Sequence, residues 1–407
     1  MKNKYLVINA GSSSLKFSLY EMPEENVIVN GYIEKIGKVD SFYTLKFNGE
    51  KLEKQKLISN HTEAVQTMLD ELLENNFINE ISEIVGVGHR VLHGAEIYSK
   101  SVLIDEDVLN DIYTLMPLGP LHMQAAINGI ESMKNVLADV PQVAVWDTAF
   151  HKSITEENYM YAVPYEWYEE DQVRRFGFHG TSHKHMAKIA DKKYTAKNVI
   201  IIHAGSGVSL SAIKDGECID TTMGLTPLEG TIMGTRCGNI DPSIIEYECK
   251  KRNLTVEEVT SILNKQSGLL GIAGVNDYRE VNELAAQGNK RAILAQKMIE
   301  KSIIKFIAQY YVELNGEVDA IIFTAGIGEN NIKFRENIIK AIEKPFNVKL
   351  NKEENDNISK YKEYQSGIIS TPDSSIKIIV EPTDEEIEIA LDTQEIIENI
   401  NSKKKKK

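Results

Sequence analysis

The sequence predicts an α/β protein made of two related halves, and three observations carry that reading. Strand-like and helix-like stretches alternate along the chain. Its 407 residues exceed the roughly 250–300 at which a single core stops growing, which points to two domains. A short phrase also occurs twice, as Leu6-Val7-Ile8-Asn9-Ala10-Gly11-Ser12-Ser13-Ser14-Leu15 and as Ile200-Ile201-Ile202-His203-Ala204-Gly205-Ser206-Gly207-Val208-Ser209-Leu210. Turn chemistry alone does not require the same residue order twice, so the repeat argues for duplication.

Apolar runs place strands at 5–9, 15–20 and 27–33, helices near 62–75 and 105–114, and further strands at 84–88 and 142–146. The joint between the halves falls near 147–151, giving domains 1–149 and 150–383. Strands near 198–203 and 208–213 precede helical patterns at 242–252, 255–265 and 288–314 and a strand at 318–323. A last helix starts at Thr383, whose hydroxyl caps it while Glu386 completes a capping box. It sets Ile387, Leu391, Ile397 and Ile400 on one face. The basic run at the end makes 401–407 a solvated, disordered tail.

Composition narrows the function. With 42% hydrophobic and 26% charged residues the chain is an ordinary soluble protein. A net charge of −14 argues against nucleic acid as a partner. An anionic substrate therefore needs locally placed cations. Cys218, Cys237 and Cys249 form no C-x-x-C pair, which fits a reduced, cytoplasmic setting. The N-terminal apolar run is interrupted at Asn9, too short for a secretory signal, and no stretch reaches the ~18–20 apolar residues of a membrane span.

Both copies of the repeat end an apolar run in a small polar turn, which leaves backbone N–H groups open to an anion. Gly88-His89-Arg90-Val91-Leu92-His93-Gly94 and Met233-Gly234-Thr235-Arg236-Cys237-Gly238 each hold an arginine among glycines. Two readings stand for Arg90 and Arg236: a fork for phosphate or carboxylate oxygens, or a loop brace paired with an acidic neighbour. His179 and His183 are four apart, but Gly180 stands where a zinc protease needs Glu. Asp147 ends a strand, a position that suits either a ligand contact or a helix cap. No P-loop occurs. Ile322-Phe323-Thr324-Ala325-Gly326-Ile327-Gly328-Glu329-Asn330-Asn331 runs a strand into glycines, which admits a flat base and ribose, or simply connects to the next helix.

Together these segments resemble the acetokinase family, within the acetate and sugar kinase, Hsp70 and actin superfamily. The resemblance runs from residue 5 to about 395. It rests on Asn9-Ala10-Gly11-Ser12-Ser13-Ser14-Leu15-Lys16-Phe17, Asp147-Thr148-Ala149-Phe150-His151, Arg175-Phe176-Gly177-Phe178-His179-Gly180-Thr181-Ser182-His183, Met223-Gly224-Leu225-Thr226-Pro227-Leu228-Glu229-Gly230 and Pro382-Thr383-Asp384-Glu385-Glu386.

The resemblance implies two duplicated ribonuclease-H-like, actin-like ATPase domains with an interdomain active-site cleft, the helix at 384–400 completing the first domain. It implies a homodimer that moves the γ-phosphoryl group of ATP to acetate, yielding ADP and acetyl phosphate, with Mg²⁺ or alternatively Mn²⁺. Arg90, Asp147, His179 and Arg236 are then catalytic. Ser12, Ser14, Lys16, His203, Gly205, Ser206, Gly207, Asp277, Tyr278, Arg279, Gly326, Ile327, Gly328 and Asn330 line the nucleotide. Arg90, Leu92, Leu121, His122, Phe178 and Pro227 receive the acid, and Asn9 and Glu385 hold the metal. Ser206 stands where the family usually has Asn, Met123-Gln124 where it has Asn-Pro, and Asn239 where Asp is common. One residue is missing before Asp277. Leu92 replaces a frequent Val, which should narrow the methyl pocket. The alternatives are a propionate or butyrate kinase, or a non-catalytic chaperone-like or filament-forming nucleotide binder.

Overall fold

The computed structural model describes residues 3–359 and 365–404, without the side chains of Leu121 and Lys404. The chain divides into two units, Met1–Phe150 with Asp384–Lys407, and His151–Thr383.

In the first unit, β1 (Asn3–Gly11), β2 (Ser14–Met22), β3 (Asn26–Glu34), β4 (Phe42–Phe47), β5 (Glu50–Gln55), β6 (Ile84–Val91), β7 (Val102–Leu103) and β8 (Gln142–Trp146) form a sheet in the order β5-β4-β3-β2-β1-β6-β8-β7. β1 and β2 pair antiparallel through a two-residue turn, Gly11 facing Ser14, while β6 lies parallel to both β1 and β8. Alternation along β1 sends Leu6 and Ile8 toward Val65, Met68 and Leu72 of the helix His61–Glu74. Tyr5 and Val7 face the opposite way, against Ile387, Ala390 and Ile397 of the helix Glu385–Lys404. That helix lies so close to β6 that a Cβ on Gly88 would collide with Thr393 and Ile389.

In the second unit, β9 (Val199–Ala204), β10 (Val208–Lys214), β11 (Glu217–Thr221), β12 (Ala320–Thr324), β13 (Gly367–Ile368) and β14 (Lys377–Val380) are ordered β11-β10-β9-β12-β14-β13. β9 to β11 are antiparallel neighbours, β12 is parallel to β9, and β14 is parallel to β12. Strand for strand this repeats β3-β2-β1-β6-β8-β7, so the duplicated phrase occupies the same hairpin of two like sheets. β9 and β12 are buried along their whole length, as strands covered on both faces must be.

Three expectations need correction. Arg90 lies inside β6, opposite Val145, rather than in a turn after it. The last helix is capped by Asp384, which accepts from Ile387 N–H at 2.9 Å, because the Thr383 hydroxyl is engaged by Ser182 at 2.8 Å. That helix also continues through Lys404, so residues 401–404 of the expected tail are helical, and 405–407 lie outside the described residues. Late lysines suit a helix C-terminus, where their charge opposes the helix dipole.

Candidate active site

The first unit carries a carboxylate-held arginine. Adjacent parallel strands bring Arg90 of β6 beside Asp147, the residue after β8. Arg90 Nε donates to Asp147 Oδ1 at 2.8 Å and Nη2 to Oδ2 at 2.7 Å. Asp147 is fully buried, and Arg90 Nη1 lies 3.9 Å from Glu385 Oε2. Burial opposes the guanidinium charge, but the Asp147 and Glu385 carboxylates outweigh it and hold Arg90 firmly protonated. Of the five guanidinium N–H groups, Asp147 takes two, leaving three for an anion. Of the two readings, the brace by an acidic neighbour is the one observed for Arg90.

The β1–β2 hairpin turns through Ser12, exposed, and Ser14, half-buried. Lys16 on β2 is exposed, its ammonium 5.8 Å from the centre of the Tyr32 ring. Asn9 is half-buried near the end of β1. Leu92 packs on the backbone of Gly119, at the head of the helix Pro120–Val136 that carries the exposed His122. Leu121 is in the same helix, but its side chain lies outside the described residues. Asn9 and Glu385 offer one amide and one carboxylate oxygen donor. Among the described residues no group of three or more His, Cys, Asp or Glu is placed to cage an ion. Amide and carboxylate oxygens are hard donors of the kind Mg²⁺ takes beside waters and phosphate oxygens.

The second unit carries the other arginine in a different electrostatic setting. Arg236 Nη1 donates to Pro227 O at 2.6 Å, and no carboxylate pairs with it among the described residues. Burial alone pulls its pKa below the usual range. Its loop is pinned by Gly234 N–H to Ser206 O at 3.1 Å and by Leu269 N–H to Met233 O at 2.9 Å. A Cβ on Gly207 would lie 2.8 Å from Arg236 Nη2 and 3.2 Å from His179 Cε1 and Nε2. The missing side chain of Gly207 is therefore the reason the cation and the imidazole meet over bare backbone.

His179 sits at the head of the helix Gly180–Tyr194 in the left-handed region, φ 56°, uncommon for a residue with a side chain. Its ring stacks on His203 with centroids 4.1 Å apart, and His203 Nδ1 is 2.7 Å from Ser182 Oγ. His183 shares Ser209 with His179. Phe178 is buried.

A cavity of about 530 Å³ opens beside this loop, lined by Gly205, Ser206, Asp277, Tyr278, Arg279, Gly326, Ile327 and Asn330 among others. Eight of the expected nucleotide contacts thus share one hollow. Asp277 caps its helix and pairs with Arg279 at 2.5 Å; the Tyr278 ring packs inward on Phe334. Sequence reading missed Gly234, Leu269, Asn276 and Asn331 on the cavity wall. It also missed Arg335, fully buried, which donates to the carbonyls of Gly328 at 3.0 Å and Glu329 at 2.7 Å and so ties down the glycine segment. Burial lowers its guanidinium to about 10.

A profile of the acetokinase family matches residues 4–391. The chain is 44% identical over 402 residues to an acetate kinase of Exiguobacterium, covering 97% of this chain and 98% of that one. It is 45% identical over 405 residues to an acetate kinase of Thermoanaerobacterium thermosaccharolyticum, covering 98% and 100%. Among solved structures, a propionate kinase from Francisella tularensis superposes with a TM-score of 0.91 at 40% identity, covering 97% of this chain and 100% of that one. Porphyromonas gingivalis acetate kinase gives 0.89 at 38%, with the same coverage.

Proposed function

Because the chain belongs to the acetokinase family, we propose that it transfers the γ-phosphoryl group of ATP reversibly to acetate, giving acetyl phosphate and ADP. The observation that supports this most is Arg236, a cation without a carboxylate partner among the described residues, set with His179 over Gly207.

Acetate is ionised at neutral pH, its pKa being about 4, so the reaction needs no general base. It needs orientation and charge stabilisation of the equatorial phosphoryl oxygens. Arg236 and His179 donate to those oxygens. Arg90 receives the acetate carboxylate through its remaining N–H groups, and Asp147 is its positioning residue. Ser12, Ser14, Lys16, His203 and the backbone of Gly205, Ser206 and Gly207 hold phosphates. Asp277, Tyr278, Arg279, Gly326, Ile327, Gly328 and Asn330 hold the adenosine. Asn9 and Glu385 would hold Mg²⁺, which would neutralise phosphate charge. His122 contacts the acid, whose methyl group meets Leu92, Leu121, Phe178 and Pro227. The enzyme works as a cytoplasmic homodimer; no helix among the described residues is long and apolar enough to cross a membrane.

The likeness to a propionate kinase favours a second reading, the same chemistry with a roomier pocket. A hydroxamate assay for acyl phosphate, run with acetate, propionate and butyrate, separates them. Leu92 in place of a smaller residue should give acetate a kcat/KM roughly 10–200-fold above propionate, the worth of one methylene in an apolar pocket. Equal values reject the narrowed pocket, and no acyl phosphate from any acid rejects the kinase reading.

A further inference from the structure

His179 donates to a phosphoryl oxygen only if the ring nitrogen on that side carries the proton, and a neutral imidazole carries its proton on either nitrogen. His179 Nδ1 lies 2.8 Å from Ser209 Oγ, and the same hydroxyl lies 2.7 Å from His183 Nε2. Ser209 and His183 are both fully buried. A serine hydroxyl has one proton and two lone pairs, and the two rings are the partners its buried Oγ has here, so its own O–H is satisfied only by donating to one ring while it accepts from the other.

His183 decides the direction. Its Nδ1 is buried with no hydrogen-bond partner. An orphaned buried N–H is rarer in proteins than an under-used lone pair, so the proton belongs on Nε2, where Ser209 Oγ accepts it. Burial, reinforced by His151 and His203, pushes the His183 pKa well below its usual range, so the ring carries one proton and not two. With its lone pair engaged by His183, Ser209 donates its own proton to His179 Nδ1. Nδ1 is then a bare acceptor, and the His179 proton is left on Nε2, the atom beside Gly207 and the Arg236 guanidinium.

We propose that His183 and Ser209 form a one-way hydrogen-bond relay that fixes His179 as the Nε2–H tautomer, making both of them positioning residues for the transfer. The catalytic part rests on the proposed function above; the tautomer does not. The fold supports the relay: Ser209 pairs with His203 across β9 and β10, and His179 and His183 sit one helical turn apart over that pair.

The test is ¹⁵N NMR of histidine-labelled protein, with His179 identified by the resonances lost in His179→Gln. A protonated Nε2 and a bare Nδ1 are expected in the wild type, and a proton on Nδ1 overturns the proposal. Ser209→Ala should mix the tautomers and lower kcat about tenfold, the scale of one misdirected hydrogen bond, with the KM for ATP unchanged. Ser209→Thr, which keeps a hydroxyl, should restore both. Wild-type kcat in Ser209→Ala also overturns the relay. Should the chain phosphorylate no carboxylic acid, the functional reading falls, while the wild-type spectrum still judges the tautomer.

Discussion

Arg90→Ala and Arg236→Ala should both damage catalysis and should differ sharply in their effect on stability. Each removes a charge-stabilising donor, so kcat for acyl phosphate formation should fall by at least about two orders of magnitude in either variant. Stability separates them through their partners. Arg90 neutralises a fully buried carboxylate through two hydrogen bonds of 2.8 and 2.7 Å. Truncating it leaves the buried Asp147 carboxylate without its ion-pair partner, which costs about 3–5 kcal/mol. Arg236 makes one hydrogen bond, to a carbonyl, and burial disfavours its charge. Losing that bond costs about 1 kcal/mol, offset by relief of the buried charge. Differential scanning calorimetry, read together with the hydroxamate assay, checks the pair. Arg90→Ala should lower the melting transition of its unit markedly, and Arg236→Ala should leave Tm within a few degrees or raise it. Equal destabilisation by both, or near-normal turnover in either, would refute the reasoning.

Gly207→Ala should lower kcat by about 10- to 100-fold, since the new methyl would stand 2.8 Å from Arg236 Nη2 and displace it from the phosphoryl position. Its Tm should shift by less than about 3 °C, because the clash is with the movable end of a side chain. The second expectation concerns acid. His89 is buried with Nε2 bonded to Gln142 Oε1 at 2.7 Å, and burial lowers its pKa from 6.5 to about 4. The unfolded chain therefore binds this proton first as the pH falls. The stabilisation is complete above about pH 6.5 and is lost between there and about 4, amounting to about 3 kcal/mol. His89→Gln should flatten that limb of the Tm–pH curve; an unchanged limb would refute the assignment.

Many strands of both sheets were legible where burial on one or both faces writes apolar runs, as in Val199–Ala204, but Phe42–Phe47 and Lys377–Val380 were missed although largely buried, being short. Glu50–Gln55 was missed because its residues are almost all exposed and leave only charge in the sequence. The helix Gly180–Tyr194 was hidden by its opening glycine, threonine, serine and histidines, whose hydrogen bonds are tertiary. Arginines and histidines flanked by glycine announced the candidate site, although two of those histidines, His89 and His93, are buried. Whether an arginine is braced by a carboxylate was not readable: Arg90 and Arg236 have similar surroundings in sequence and different partners in space. Ser209 looks like any outward strand serine until β9 and the helix cover it, and Arg335 looks like a surface residue of an amphipathic helix.

The helix Glu385–Lys404 closes the face of β1 and β6 that Tyr5, Val7 and Gly88 present. During synthesis those strands leave the ribosome first, yet their covering arrives only after all of residues 151–383 has been made. The continuous unit is free to fold as it emerges, whereas the earlier one waits with an apolar sheet face uncovered. Nascent chains stalled before residue 385 should therefore be the species that chaperones hold and proteases take.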